Sequence, residues 1–457
     1  MSALWTSDEI EAATSGVASA PFFANGVAFD SREVGPGDLF IALKGETTDG
    51  HRFVDGAFEQ GAAGAITSQP VAHPHVRVAD TTAALDALGV AARARTAAKI
   101  AGVTGSVGKT GTKEALSAAL ARGKRGAVHR SVKSYNNHTG VPLSLSRMPA
   151  DSAFGVFEMG MNHAGELAAL TRLVRPHVAL VTTVAAAHIE FFGSVEAIAD
   201  AKGEIFEGLE PGGTAIIPFD NPHRDRLIGH ARPHAANILT FGIGEGADVR
   251  ALDAIANGNG TMVTARLPEA ELTFTLSQPG AHWVSNAMAV LAAVHALGGD
   301  LAAAGLALAD FAGLPGRGAH HRIKVEDGEA LLIDESYNAN PTSMAATLDV
   351  LGKAEATRRI VVLGAMRELG PASDALHESL AAPILAAGVD YALLVGSGME
   401  PLAKALEGKI ESAHWRDASS AGESLRKLLR PGDAVLIKGS NAIGLGRIVS
   451  TLTGGQN

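Results

Sequence analysis

Cysteine is missing from all 457 residues of the chain. This absence excludes disulfides, zinc–thiolate sites and cysteine nucleophiles. Basic residues are also in the minority, with 38 Lys and Arg against 48 Asp and Glu, so the formal net charge is −10. A protein that holds nucleic acid by bulk charge needs the opposite balance, so we expect no nucleic-acid partner. An anionic small substrate is compatible with this charge, because it needs only a local positive site.

Long apolar runs are lacking as well. No stretch is both long enough and free enough of charge to cross a bilayer, so we expect no membrane insertion. Residues 1–9 lack the basic start and apolar core of a signal peptide. We therefore expect a cytoplasmic protein. Its hydrophobic fraction of 46% is that of a globular protein, and its length predicts two to four domains.

A glycine-rich segment has the layout of a phosphate-binding loop. The apolar run Lys99–Val103 is typical of a strand, and apolar residues recur at helical spacing after Glu114. The segment between them consists of Thr104, Gly105, Ser106, Val107, Gly108, Lys109 and Thr110. Its glycines let backbone N–H groups face a phosphate, and the N-terminus of the next helix adds partial positive charge. We expect Lys109 to contact terminal phosphates and Thr110 to bind Mg²⁺; the alternative is a glycine-rich turn without a ligand.

Two further predicted strands end in polar residues. Glu158 follows the run Ala153–Phe157, and His188 comes shortly after Val178–Val184. Because the carboxyl ends of parallel strands gather around the ligand crevice, we expect both side chains near the phosphate loop. There they could share a divalent ion. The alternative is that each is a solvated loop residue.

Lys202 falls on the apolar stripe of a predicted helix. The stripe is marked by Val195, Ile198, Ile205 and Leu209. A lysine on such a face reaches out to solvent, pairs with an anion or loses its charge. The functional alternative is a desolvated amine near the metal site. Such an amine can take up carbon dioxide and become a carbamate, which is an oxygen ligand.

The order of strands and helices predicts an α/β protein with three domains. We place a small α/β domain at 1–82, the domain with the phosphate loop at 83–312, and a doubly wound domain at 313–457. Ser31 and Arg32 form a loop of the first domain that could grip a phosphate, or a turn with a surface arginine. Polar clusters follow strands of the third domain and predict a binding face there. These clusters are Asp334–Pro341, Gly364–Gly370 and Lys438–Ser440.

The chain resembles the Mur ligases over nearly its whole length. The segments that carry the resemblance are Asp30–Arg32, Thr104–Thr110, Asn136–Asn137 with Gly140 and Pro142, Glu158–Gly160, Ala187–His188, Lys202–Phe206, His282–Asn286, Asp334–Pro341, Glu368–Gly370 and Lys438–Ser440. The run Ser336–Pro341 is the most specific of them. The members that add the third amino acid carry an Asp-Asn-Pro-Arg signature in the last domain, and this sequence has none. The resemblance is therefore closest to the members that add D-alanyl-D-alanine.

The resemblance implies a P-loop ATPase-like parallel sheet in the centre and a Rossmann-like C-terminal domain. It also implies an enzyme that joins D-Ala-D-Ala to UDP-N-acetylmuramoyl-tripeptide through an acyl phosphate, consuming ATP. This is the last cytoplasmic step of peptidoglycan precursor synthesis, which serves cell-wall biogenesis, cell shape and cell division. The implied cofactors are ATP, Mg²⁺ (two ions) and a carbamylated Lys202, and the implied state is a monomer.

Roles for individual residues follow from the same resemblance. Catalysis is assigned to Lys109, His188 and Lys202. ATP binding is assigned to Thr104–Thr110, His282, Asn286, Arg317 and Asp334. Substrate binding is assigned to Ser31, Arg32, Asn136, Asn137, Tyr337, Asn338 and Asn340. The metal ligands are Thr110, Glu158, His188 and the carbamate of Lys202. The chain departs from the family pattern at Gly111, Ala365 and Asn441.

Two other readings stay open at this point. One is a ligase of the same architecture, either diamino-acid-adding or similar to folylpolyglutamate synthase. The other is a nucleotide-driven switch or motor that only hydrolyses ATP. Within the first reading, the sequence does not tell whether the tripeptide ends in lysine or in diaminopimelate.

Overall fold

The strands of the chain fall into sheets that follow one another in sequence order. The computed structural model describes residues 3–45, 48–123, 128–187, 189–257 and 260–455. Within them, early, middle and late strands form separate sheets. None of the helices in these ranges is long and apolar enough to cross a bilayer.

The first sheet combines short parallel strands with one antiparallel edge. The strands are β1 (Trp5–Thr6), β2 (Val17–Ala18), β3 (Phe23–Ala24), β4 (Gly26–Ala28), β5 (Asp38–Ile41), β6 (Gly64–Thr67) and β7 (His75–Arg77). The helices are α1 (Ser7–Thr14), α2 (Val54–Glu59) and α3 (Thr81–Ala94), with 3₁₀ turns at Ser31–Glu33 and Gly50–Phe53. The sheet order is β2-β7-β6-β5-β4, while β1 and β3 pair separately.

The middle sheet carries the phosphate loop. Its strands are β8 (Lys99–Thr104), β9 (Val128–Arg130), β10 (Phe154–Glu158), β11 (Val178–Val181), β12 (Thr214–Pro218), β13 (Asn237–Gly242), β14 (Val249–Asn257), β15 (Gly260–Leu267) and β16 (Ala270–Leu276). Its helices are α4 (Lys109–Gly123), α5 (Gly140–Ser146), α6 (Glu166–Val174), α7 (Ile189–Phe192), α8 (Val195–Gly203), α9 (Arg224–Ala231), α10 (Ala281–Ala296) and α11 (Leu301–Asp310). The order is β16-β15-β14-β13-β12-β11-β8-β10-β9. Pairing is parallel from β9 to β14 and antiparallel from β14 to β16.

Alternate residues of the middle strands enter two different cores. On β8, Val103 packs in one cluster with α4 and α10, whereas Ile100 packs in the other with α6 and α8. Burial on both faces explains why these strands read as continuous apolar runs in the sequence. The same register aligns the strand ends, because Val103 lies opposite both Glu158 and Leu180.

The third sheet is also mainly parallel. Its strands are β17 (Ala319–Val325), β18 (Gly328–Glu335), β19 (Arg358–Gly364), β20 (Tyr391–Val395), β21 (Glu411–Trp415) and β22 (Asp433–Lys438). Its helices are α12 (Pro341–Lys353), α13 (Ser373–Glu378), α14 (Ala381–Ala386), α15 (Glu400–Leu406), α16 (Ala418–Leu428) and α17 (Gly446–Leu452). The order is β17-β18-β22-β19-β20-β21, with only β17 antiparallel. Buried clusters on both faces confirm the predicted doubly wound arrangement.

One helix is shorter than its apolar stripe predicts. The stripe suggests a helix that continues to Leu209, but α8 ends at Gly203 and a 3₁₀ turn follows over Glu204–Gly208. A Cβ on Gly203 would lie 2.5 Å from the ring of His230, so this position packs tightly against α9. Lys202 therefore stands in the last turn of α8.

Candidate active site

The loop between β8 and α4 is shaped to hold an anion. Gly105 and Gly108 have φ angles of +150° and +86°, which side-chain-bearing residues rarely adopt. A Cβ on Gly105 would lie 1.8 Å from Thr182 Oγ1. The backbone N–H groups of Val107, Gly108, Lys109 and Thr110 donate to no acceptor within the described ranges. They surround the N-terminus of α4, where the helix dipole favours negative charge, so the cradle fits a phosphate group.

Lys109 lies across this cradle. Its Nζ donates to the carbonyl oxygen of Gly105 at 2.6 Å. Burial lowers the pKa of Lys109, Glu158 opposes that shift, and the positive charge of Arg317 adds to it. An anion bound at the loop would supply the counter-charge that this ammonium group needs.

Glu158 stands at the end of β10, next to the start of α4. Its Oε2 accepts a hydrogen bond from the Thr110 hydroxyl at 2.8 Å, and its Oε1 accepts one from Asn136 Nδ2 at 2.8 Å. The side chain is 1% exposed. Carboxylate and hydroxyl oxygens are suitable ligands for Mg²⁺. Among the described residues, however, no group of three or more His, Asp or Glu side chains is placed to hold a metal; His188, predicted as a ligand, lies outside them.

Lys202 is buried in the wall of the same cavity. It is 2% exposed, and nothing in the described part of the chain offers its Nζ a carboxylate or another acceptor. Burial, reinforced by the charge of Lys109, holds the pKa of Lys202 well below its ordinary range. Burial therefore favours the neutral, nucleophilic form of this amine.

The cavity in front of the loop has a volume of about 540 Å³. This is within the range of small-molecule sites. It lies between the middle and third sheets, and most of the predicted site residues line it. They are Ser106, Val107, Gly108, Lys109, Asn136, Glu158, Lys202, His282, Asn286, Arg317, Tyr337, Asn338 and Asn340.

The third sheet contributes a cationic wall to this cavity. The guanidinium carbon of Arg317 lies 4.0 Å from the ring centre of Tyr337, and Arg317 Nη2 donates to Ser134 Oγ at 3.1 Å. Lys438 Nζ donates to Glu335 Oε2 at 3.2 Å and to the Asn338 carbonyl at 3.0 Å. These contacts fix the run after β18 at the edge of the cavity.

His282 and Asn286 come from the first turns of α10. Burial lowers the pKa of His282, so its ring is neutral at physiological pH. A Cβ on Gly108 would lie 3.1 Å from Asn286 Oδ1, which brings this amide next to the phosphate loop. Both side chains can therefore offer hydrogen bonds to a ligand held beside the loop.

Other predicted site residues do not line this cavity. The side chain of Arg32 is 86% exposed and forms a bidentate ion pair with Asp30, at 2.9 and 2.6 Å. Ser31 lies between these two residues in the chain. Asn137 Oδ1 accepts from the N–H of Gly140, the first residue of α5, at 2.9 Å. Thr104, Gly105 and Thr110 do not line the cavity either. Thr110 contacts it only indirectly, through its hydrogen bond to the lining residue Glu158.

Asp334 is turned away from the cavity as well. Its Oδ2 accepts from the N–H of Gly316 at 2.6 Å, and its Oδ1 accepts from the N–H and hydroxyl of Ser336 at 3.1 and 2.6 Å. The carboxylate is 1% exposed. It therefore ties the linker before Arg317 to the end of β18.

Several lining residues were not predicted from the sequence. Asp220 and Asn221 follow β12 and line the cavity beside Trp283 and Thr182. The rule that located Glu158, which looks for polar residues after a strand, also finds Asp220 and Asn221. Trp283 carries no such signal, because its role as a packing partner of Gly111 depends on the tertiary fold.

Family models match most of the chain. The model "Mur ligase family, catalytic domain" matches residues 24–123, "Mur ligase middle domain" matches residues 103–294, and "Mur ligase, glutamate ligase domain" matches residues 321–441. The chain belongs to the Mur ligase family. The resemblance noted in the sequence and the fold that it implied are thus both confirmed.

Individual Mur ligases are similar along nearly the full length. The UDP-N-acetylmuramoyl-tripeptide–D-alanyl-D-alanine ligase of Synechocystis sp. is 36% identical over 438 residues, which cover 94% of this chain and 92% of that protein. The Escherichia coli K12 protein of the same name is 35% identical over 438 residues, which cover 93% of each chain.

Solved structures of Mur ligases superpose on the whole molecule. A crystal structure of MurF from Acinetobacter baumannii has a TM-score of 0.85 at 31% identity and covers 98% of this chain and 99% of its own. The MurF ligase of Thermotoga maritima, crystallised in complex with ADP, has a TM-score of 0.76 at 28% identity. That match covers 94% of this chain and 97% of the other.

Proposed function

We propose that this Mur ligase uses ATP to join D-Ala-D-Ala to UDP-N-acetylmuramoyl-tripeptide. The proposal is supported by relatives of that name at 35–36% identity over more than nine-tenths of the chain. The observation that carries it is the cavity itself. The N–H groups of the phosphate loop, Lys109, Glu158 and the amine of Lys202 converge there, and the third sheet closes the other side.

We assign the three reactants to three parts of the chain. Residues 1–82, with Ser31 and Arg32, would hold the UDP end of the muramoyl tripeptide. Residues 83–312 would bind ATP, with His282 and Asn286 near adenine. Residues 313–457 would bind the dipeptide through the cluster that includes Tyr337, Asn338 and Asn340. Such a division suits a reaction in which three molecules must meet away from water.

The proposed chemistry has two steps. A carboxylate oxygen of the tripeptide attacks the γ-phosphorus of ATP, so a P–O bond forms while the bond to ADP breaks and ADP leaves. The amine of D-Ala-D-Ala then attacks the acyl carbon, inorganic phosphate leaves, and the amine gives up a proton. The loop N–H groups and Lys109 would stabilise the charge on the transferring phosphoryl group, and Arg317 would add to them from the third domain.

The residues around Glu158 fit a magnesium requirement. Bound Mg²⁺ would neutralise charge on the phosphates during transfer. Thr110 and Glu158 would hold one ion, while His188 and a carbamate on Lys202 would hold a second. A carbamate fits this position because Lys202 is buried, has no acid partner in the described part of the chain, and has its pKa lowered by burial.

We further propose a cytoplasmic monomer that serves peptidoglycan synthesis, and through it cell shape and division. ATP and UDP-linked precursors are made in the cytoplasm.

The test is the substrate dependence of phosphate release by the purified protein with Mg²⁺ and ATP. We expect release only when UDP-muramoyl-tripeptide and D-Ala-D-Ala are both present, with the new amide detected by mass spectrometry. Parallel reactions replace the dipeptide with lysine or diaminopimelate, or supply a folate with glutamate. Amide formation in those reactions alone would contradict the proposal, as would release that needs no acceptor. Tripeptides ending in lysine and in diaminopimelate are compared in the same assay.

A further inference from the structure

The segment 131–136 contacts all three parts of the molecule. It runs from the end of β9 towards α5, behind the wall of the nucleotide cavity. Two of its members, Ser134 and Asn136, line that cavity. Two others, Lys133 and Tyr135, point their side chains at Glu33 of the first domain, which has no part in the proposed chemistry.

A buried lysine holds the segment from the side of the phosphate loop. Lys113 lies one turn after Thr110 on α4 and is 0% exposed. Its Nζ donates to the carbonyls of Ser131 and Lys133 at 2.8 and 3.0 Å, and it forms an ion pair with Glu114 at 2.7 Å. These partners fix the position of the buried ammonium group, because losing any one of them would cost free energy.

The backbone conformation of Lys133 also indicates that the segment is held in place. Its φ is +52°, the left-handed region that non-glycine residues rarely occupy. Such a conformation is strained and persists only where the surroundings enforce it. Here it aims the carbonyl of Lys133 at Lys113 while the side chain points away towards the first domain.

Glu33 of the first domain receives that side chain. Its carboxylate forms an ion pair with the ammonium of Lys133, and both of its oxygens lie 2.8 Å from the hydroxyl of Tyr135. Burial and the neighbouring carboxylate raise the pKa of Tyr135 to about 12, so the hydroxyl remains a donor. The ring of Tyr135 also packs against Phe29, with centroids 5.7 Å apart.

Ser131, Ser134 and Asn136 of the segment form hydrogen bonds with residues of the nucleotide cavity. Ser131 Oγ accepts from the N–H of Glu158 at 3.1 Å, and Asn136 Nδ2 donates to the carboxylate of Glu158 at 2.8 Å. Ser134 Oγ accepts from Arg317 at 3.1 Å. A shift of the segment would therefore move a proposed metal ligand and a cation of the third domain together.

We propose that Glu33 is a positioning residue for nucleotide binding, acting from the first domain through the segment 131–136, with Lys113 as the fixed anchor on the other side. This inference rests on the proposed function, because it takes the cavity to be the nucleotide site. Glu33 lies in the same 3₁₀ turn as Ser31 and Arg32. Contacts made there by the UDP end of the substrate would thus reach the nucleotide site by the same route.

The test compares Mg·ADP binding to the full-length protein and its variants by calorimetry at 25 °C, without the UDP substrate. Glu33→Ala should bind roughly five- to tenfold more weakly, the size of a typical coupling between two sites. Glu33→Gln keeps an acceptor for Tyr135 and should lose less. The matched control is Glu59→Ala, because Glu59 is an exposed glutamate of the same domain; its affinity should equal that of the wild type.

A double-mutant cycle identifies the route. Tyr135→Phe should weaken binding by itself, and its effect should not add to that of Glu33→Ala. A merely structural role of Glu33 would lower the melting temperature and leave the dissociation constant unchanged, which would overturn the inference. If the wild type binds Mg·ADP and Glu33→Ala binds it equally well, the inference fails while the nucleotide site stands. If the wild type does not bind Mg·ADP, both the inference and the proposed function fail.

Discussion

Replacing Lys202 by methionine should stabilise the protein and abolish its activity. Lys202 is 2% exposed and has no acid partner among the described residues, so the fold bears the cost of burying its amine. Methionine has a similar length and no polar group to leave unpaired. An unsatisfied buried polar group costs about 1–3 kcal/mol, so the free energy of unfolding should rise by about that amount at pH 7. Ligation should meanwhile fall to background, because methionine cannot become a carbamate.

The pH dependence of this difference has a definite sign. Burial lowers the pKa of Lys202 in the folded state, whereas the unfolded chain keeps a value of about 10.4. Between those two values the unfolded chain binds one proton more, so the wild type gains stability as pH rises. The methionine variant lacks this proton, and its advantage should shrink between pH 7 and pH 10.

Urea unfolding of both proteins at several pH values measures the effect. The control is Lys427→Met, because Lys427 is exposed on α16 and its replacement should change little. A Lys202→Met variant that is clearly less stable at pH 7, or an advantage that grows with pH, would refute the account of an unpaired neutral amine. So would wild-type turnover in the variant.

The addition of bicarbonate, as a source of carbon dioxide, tests separately whether Lys202 forms a carbamate. The amine nitrogen of Lys202 would attack the carbon of CO₂, forming an N–C bond and releasing one proton. The anionic product would face Lys109, whose charge now disfavours a protonated Lys202. Bicarbonate should therefore stabilise the wild type but not Lys202→Met, and short carboxylic acids should partly restore ligation by Lys202→Ala.

Three further predictions address other parts of the site and the fold. Lys109→Ala should reduce ligation by at least about a hundredfold and weaken Mg·ADP binding in calorimetry, with an unchanged circular dichroism spectrum; normal turnover would contradict the phosphate-loop assignment. Glu158→Gln should raise the Mg²⁺ concentration needed for half-maximal activity, and an unchanged magnesium titration would count against its role as a ligand. Burial lowers the pKa of His129 to about 4, so the folded chain binds fewer protons than the unfolded one below pH 6.5. Acidification from pH 6.5 to 4 should then cost on the order of 3 kcal/mol of stability, a loss that His129→Gln should remove in urea titrations.

Much of the fold could be predicted because it depends on local pattern. The short apolar run Lys99–Val103, for example, predicted the strand that the structure has at Lys99–Thr104. The end of α8 could not be predicted in this way, because its stripe of apolar residues continues beyond Gly203 into a 3₁₀ turn. Hydrophobic spacing alone does not separate one helix from a helix followed by a tighter turn.

The site could be predicted where a motif fixes both the backbone and the chemistry. The phosphate loop has this property, since its glycines and the following lysine imply one geometry. Lys202 was found because a charge on an apolar stripe is a local anomaly. Lys113 was not singled out, although it is fully buried, because its carbonyl partners come from a segment that only the tertiary fold brings close. For the same reason, the sequence gives no sign that both carboxylate oxygens of Asp334 are already bound by the linker and Ser336.

We propose that the cavity around Lys109 activates a carboxylate by phosphorylation. The most direct measurement uses UDP-muramoyl-tripeptide with both oxygens of the reacting carboxylate labelled with ¹⁸O, followed by mass spectrometry of the released phosphate. We expect one ¹⁸O atom in every phosphate ion, because the phosphate that the amine displaces from the acyl carbon keeps one oxygen of the carboxylate. Unlabelled phosphate, or release of AMP and pyrophosphate in place of ADP and phosphate, would contradict it.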